Sequence, residues 1–129
     1  MKITKVINAS AERVWQVLID TRLWPVWGPS VRAVECSHRF ISSGVSGQIQ
    51  TPVRLWVQFK ITGFEELNYW NWKVLGVPAT GHWVMRLGDQ RCELVFELPM
   101  IAFPYALICR LAANRIASLA EKGDMFPAK

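Results

Sequence analysis

The chain reads as an α+β domain in which a curved antiparallel sheet of about six to seven strands wraps a long C-terminal helix, with a short helix pair after strand one. Three observations predict this. A strand-like opening runs at once into an amphipathic helix and a tryptophan-rich turn. Most of the middle of the chain alternates apolar and polar residues with a period of two. Beyond Phe103 the period lengthens to between three and four. The 129 residues suit one domain spanning 1–129, and no linker, repeat or low-complexity tract divides them.

Ile3 to Ile7 opens the chain as a strand. Ser10 then suits an N-cap, because its hydroxyl accepts from the free amides of a first helical turn, and Glu12 sits where the helix dipole favours negative charge. Ala11, Val14, Trp15 and Leu18 follow at helical spacing and make one apolar face. The turn Trp24-Pro25-Val26-Trp27 either lids one end of the sheet and secures this helix or serves as a mobile gate. Val31 to Phe40 alternates as a strand with Val34, Cys36, His38 and Phe40 on one face. Ser42-Ser43-Gly44 signals a turn before a short strand at Gly47–Thr51.

The clearest alternation places Val53, Leu55, Val57, Phe59 and Ile61 on one face, and Trp70, Trp72 and Val74 continue the pattern in the next strand. Trp83, Met85 and Leu87 then point inward, with His82, Val84 and Arg86 opposite. Cys92, Leu94, Phe96 and Leu98 alternate with Glu93 and Glu97. In this register His82 and Arg86 face the glutamates across the solvated side, where each such pair contributes about 0.2–1 kcal/mol. From Phe103 to Lys122 a helix sets Tyr105, Ile108, Ala112, Ile116 and Leu119 on one side and Arg110, Asn114, Ala117 and Glu121 on the other, and Gly123 is its natural stop.

Composition narrows the function. Hydrophobic residues at 51% against 19% charged argue against disorder, and seven tryptophans supply more bulky apolar surface than a minimal core needs. The net charge of +5 is spread along the chain without a basic run or the glycine-flanked aromatics of RNA-binding sheets, so no nucleic-acid partner is expected. Cys36, Cys92 and Cys109 are odd in number and far apart, which fits reduced thiols in a cytoplasmic protein. They lack metal-ligand spacing and only two histidines accompany them, so neither a metal nor a cofactor is expected. Met1 to Lys5 has no signal-peptide character, and the apolar run from Leu98 to Cys109, interrupted by Pro99 and Pro104, is too short for a membrane span. Oligomeric state stays open.

The block from Ser10 to Trp27, with the Ile3–Ile7 strand before it, resembles the opening of the START-like helix-grip superfamily (SRPBCC-type), especially its polyketide cyclase/dehydrase and lipid-transport branch. The order of elements agrees over essentially the whole chain. One departure is the turn Gly88-Asp89-Gln90-Arg91, which lacks the Gly-Thr pair that many members carry there.

The resemblance implies a cavity between sheet and long helix for a hydrophobic, ring-containing small molecule or lipid. Candidate wall residues are Trp15 from the first helix, Phe59, Ile61, Trp70, Trp72, Trp83, Met85 and Phe96 from the strands, and Ile108, Ala112 and Ile116 from the long helix. The alternative is that these side chains simply fill the core, since interiors pack near crystal density. Arg115 borders the helix's apolar face, where it is either a solvated flank or reaches a carboxylate at the cavity mouth with its guanidinium. His38 is either a surface or hydrogen-bonded histidine at the end of its strand or a proton donor or acceptor, and Cys36 beside it lacks the orienting third group of a nucleophile site. Besides binding, the resemblance leaves open a cyclase or dehydratase activity in the same pocket and a protein-interaction module of the same fold. No Ser-His-Asp set, phosphate loop or dinucleotide fingerprint is present.

Overall fold

Period-two alternation produces strands wherever one side is buried, and the computed structural model, which describes residues 1–98 and 106–122, has seven of them in one antiparallel sheet. The elements are β1 (Lys2–Ile7), α1 (Ala11–Ile19), α2 (Trp24–Trp27), β2 (Ala33–Glu35), β3 (Ser46–Gln50), β4 (Trp56–Glu65), β5 (Tyr69–Val74), β6 (Val77–Gly88), β7 (Arg91–Glu97) and α3 (Ala106–Glu121). Sheet order is β1-β7-β6-β5-β4-β3-β2, so successive strands from β2 to β7 are neighbours and β1 returns to pair with β7, with Ile3 opposite Phe96 and Ile7 opposite Cys92.

Local chemistry explains the helices. The Ser10 hydroxyl accepts from the Arg13 amide at 3.1 Å, and Ala11, Val14, Trp15, Val17 and Leu18 are buried. Pro25 stands in the first turn of α2, where its missing N–H leaves no hydrogen bond unmade. The indoles of α2 hold it to the end of α1, since Trp24 Nε1–H donates to the Leu18 carbonyl at 2.9 Å and Trp27 Nε1–H to that of Val17 at 3.3 Å. On α3 the buried stripe is Cys109, Ala112, Ala113, Ile116, Ala117 and Ala120. These mostly small side chains let the helix backbone approach closely. Its last turn is clamped to the start of α1. Arg13 Nε donates to the Ala120 carbonyl and the Asn8 amide to Glu121 Oε2, both at 2.9 Å.

Four sequence expectations are corrected. The strand expected over Val31–Phe40 ends at Glu35, and His38 and Phe40 are exposed. The cause is that the segment is tied to the end of α1: the Thr21 amide donates to the Arg39 carbonyl at 2.7 Å, the Ile41 amide to that of Ile19 at 3.0 Å, and the Arg39 guanidinium pairs with buried Asp20 at 3.0 Å. Val53 and Leu55 lie outside β4 and are exposed. Thr51 and Leu55 close a tight turn, with Thr51 N–H donating to the Leu55 carbonyl at 2.8 Å and Arg54 at a positive φ of 68°.

The faces of β6 are the reverse of those expected. His82 and Val84 point inward because they pair with inward residues, His82 with Trp70 on one side and Phe96 on the other, and Val84 with Leu94. Met85, at 50% exposure, and Leu87 face solvent. Neither His82 nor Arg86 sits opposite a glutamate; Met85 pairs with Glu93, and Arg86 instead forms an ion pair with Glu12. The fourth correction is on α3, where Ala117 is buried and not turned outward. Tyr105, Gly123 and the expected helix start at Phe103 lie outside the described residues.

Candidate functional site

Because the inward face of the sheet carries rings from three adjacent strands, the space under α2 and α3 is lined by aromatics. Trp70 and Trp72 come from β5, Thr80 and His82 from β6 and Phe96 from β7. Trp24, Trp27 and the following Gly28–Val31 close one side, while Ile108, Cys109 and Ala112 of α3 close another. The cavity measures ≈ 40 Å³. At about 10–15 Å³ per water it accommodates roughly three, well below the about 300–1,000 Å³ of a pocket for a drug-sized ligand.

The rings form a continuous assembly. Trp70 stacks on Trp24 (centroids 5.5 Å, planes 12° apart) and on the His82 imidazole (3.8 Å, 17°), while Phe96 meets His82 edge-on at 5.2 Å and Trp27 stacks on Phe96 at 6.4 Å. Such pairs contribute about 0.5–1.5 kcal/mol each beyond area burial.

One polar relay enters this apolar wall. His82 Nδ1 lies 3.1 Å from the Trp70 carbonyl, which only accepts, so Nδ1 carries the proton and Nε2 presents a lone pair. The Thr80 hydroxyl accepts from Trp72 Nε1–H at 3.1 Å and donates toward His82 Nε2 at 3.4 Å. Thr80 thus links two rings of the cavity wall. His82 is 3% exposed, and burial pushes its pKa down from 6.5 to about 3 against the opposing pull of the Trp70 carbonyl. The imidazole is therefore neutral at physiological pH, and as a base it is weak. Cys109 meets the cavity as a neutral thiol, its pKa pushed up to about 11 by burial. Among the described residues the buried Trp70 Nε1–H has no acceptor. A buried donor left unmade costs about 1–3 kcal/mol, which a ligand acceptor can recover.

Of the residues expected to line a cavity, Trp70, Trp72, Phe96, Ile108 and Ala112 do so. Phe59 is buried one layer away, edge-on to Trp24 at 5.2 Å, and Ile61 and Ile116 belong to the solid core. Trp15 is buried elsewhere, against Phe64, with its indole N–H donating to Glu66 at 3.2 Å. Trp83 stacks on Tyr69 on the outer face at 4.6 Å, Met85 is exposed, and Arg115 lies on the exposed side of α3. His38 is exposed and bonded to its neighbour Ser37 at 3.1 Å, away from the cavity. Sequence reasoning missed Thr80 and His82. Their signal was the alternation Thr80, His82, Val84, which matches the inward period of β7.

No protein-family model matches the chain, and no curated protein matches it in sequence. Solved structures do match in fold. The Zhui aromatase/cyclase from Streptomyces sp. R1128 superposes with a TM-score of 0.75 at 14% identity, covering 95% of this chain and 93% of that one. The protein XoxI from Bacillus cereus gives 0.73 at 12%, covering 98% of both chains. The di-domain ARO/CYC StfQ from the steffimycin biosynthetic pathway gives 0.71 at 17%, covering 96% of this chain and 45% of that one. The chain thus has the helix-grip fold that aromatase/cyclases also use. No helix among the described residues is long and apolar enough to cross a membrane.

Proposed function

We propose that the protein binds a small ring-containing apolar molecule between β5–β7 and α2–α3, with Thr80, His82 and the Trp70 indole N–H orienting one polar atom of the guest. The carrying observation is that one aromatic-lined cavity is bordered both by a neutral imidazole of fixed tautomer and by Trp70, whose buried indole N–H has no acceptor among the described residues. Free thiols at Cys36, Cys92 and Cys109 support a reducing compartment, the cytoplasm, as its place of action.

The cavity of ≈ 40 Å³ is smaller than the about 150 Å³ that holds a benzene-sized guest, so binding includes an outward shift of a wall. α2 is the element suited to move, being four residues long with no side-chain cap and held by its two indole hydrogen bonds. Removing about 150 Å² of ligand surface from water supplies about 4 kcal/mol, a millimolar affinity, so tighter binding needs the polar contacts as well. A cyclase reading of the same pocket is supported by the fold of the aromatase/cyclases, but proton transfer would fall to an imidazole with a pKa of about 3. The site's electrostatics favour binding over turnover.

The test is titration of tryptophan emission with phenols and naphthols and with the matching hydrocarbons. Saturable binding is expected, with Thr80→Val lowering affinity about tenfold for the hydroxylated ligands only and Ala112→Leu lowering it for all. Ligand responses unaffected by both variants, in protein with unchanged circular dichroism, would remove the cavity as the site.

A further inference from the structure

We infer that the two neighbouring hairpin tips, β3–β4 and β5–β6, dock the protein on an anionic membrane surface. This stands independently of what the cavity holds. Both turns lie at one end of the sheet. Gln50 pairs with Trp56 across the first hairpin, and the Leu75 amide at the second donates to the Gln58 carbonyl at 2.9 Å, which places Leu75 beside the opening of β4.

The tips carry Val53, Leu55, Trp56, Leu75 and Val77, each 45–74% exposed. Large apolar side chains gathered in this way mark a surface that is covered in use. The charge around them points to the cover. Residues 36–64 and 67–88 contain no Asp or Glu, so β3 to β6 hold cations with only Glu65 and Glu66, at the far end of β4, against them. Glu35, opposite Gln48 on the edge strand, is the nearest carboxylate in register.

Arg54 sits in the first tip, and exposed Arg32 is joined to Gln50 through its amide at 2.7 Å. Lys60 and Lys73 are directly opposite one another and both exposed, bordering an outer-face hollow of ≈ 530 Å³ with Ser46, Gln48 and Gln58. Two like charges in register are unfavourable unless an anion lies over them.

The spacing suits a bilayer. Lys73 is two residues behind Leu75 and Lys60 four behind Trp56, about 7–13 Å along the strand. Apolar side chains that enter the headgroup boundary by about 5–10 Å would leave these ammonium groups at phosphate level, and Trp56 is of the type that favours that interface. A second copy of the chain is a poorer occupant, because it would set one cationic face against another.

The experiment is co-sedimentation of the full chain with phosphatidylcholine vesicles, with and without phosphatidylglycerol, at low and high salt. Binding is expected only to the anionic vesicles, weakened by salt and unaffected by free glycerol phosphate, which separates a bilayer from a soluble phosphate ligand. Lys60→Gln with Lys73→Gln should weaken it about 25-fold, at about fivefold per cation. Leu55→Asp with Leu75→Asp should abolish it. All four positions are exposed, so circular dichroism should be unchanged and the unfolding midpoint should not fall. No sedimentation of the wild type, or undiminished sedimentation of the Leu55/Leu75 variant, overturns the inference. So does self-association, or binding to an acidic polypeptide, that is lost in that variant while vesicles are ignored.

Discussion

Acidification between pH 6.5 and 5 should destabilise the fold through His82. Its imidazole is 3% exposed and has a pKa lowered from 6.5 to about 3, so in this range the unfolded chain takes up a proton that the native state refuses. Stability therefore falls as pH drops below 6.5 and has no His82 contribution above it. The slope approaches about 1.4 kcal/mol per pH unit, giving about 2 kcal/mol lost at pH 5 and about 4 kcal/mol near pH 3, where the native imidazole itself begins to take up the proton. Glu12, whose carboxyl the Arg86 hydrogen bond holds below 4.5, acts in the same direction but only at lower pH, leaving the upper window to His82. Urea unfolding across this window in wild type and His82→Phe isolates the effect, because the phenyl ring keeps the stacking surface and cannot titrate. The wild-type midpoint should fall while that of His82→Phe stays nearly level. Equal slopes in the two proteins would refute the assignment of a buried neutral imidazole.

Thr80→Val strips Trp72 Nε1 and His82 Nε2 of their shared hydroxyl and should cost roughly 1–3 kcal/mol in urea unfolding at pH 7, well beyond an ordinary surface substitution. Gly47→Ala would set a Cβ 2.7 Å from the Glu35 carbonyl oxygen and 3.0 Å from the Phe59 ring, forcing β2 and β3 apart at a cost of about 1–3 kcal/mol. Gly88→Ala, with nothing within 4 Å, should leave the unfolding midpoint nearly unchanged. Alkylation of the native protein followed by mass spectrometry should label half-buried Cys36 first. Cys92 and Cys109, buried and each with a pKa of about 11, should react only on unfolding.

Several parts of this fold were legible because their residues obey one period and one face. Trp70, Trp72 and Val74 alternate inward along β5, Cys92, Leu94 and Phe96 along β7, and Ser10 caps α1 as its hydroxyl dictates. Other parts were obscured by apolar residues on the wrong side. Val53 and Leu55 prolong the alternation of β4 into a turn, where they are exposed at the tip. Cys36, His38 and Phe40 alternate as if in a strand. Hydrogen bonds from Thr21 and Ile41 instead draw that stretch to the end of α1.

Periodicity places the elements in order and names their types, and it requires a long terminal helix to cover the apolar side of the sheet. It cannot assign the sign of an alternation when both faces carry large apolar groups, as in β6, where Trp83, Met85 and Leu87 compete with His82 and Val84. Pairing with Trp70 on one side and Phe96 on the other decides it, because inward side chains must meet inward neighbours. From that single choice come the buried imidazole, its tautomer and the polar corner of the cavity. The cavity's small size is likewise a tertiary outcome, set by how closely the alanines of α3 and the indoles of α2 let their backbones settle onto the rings beneath.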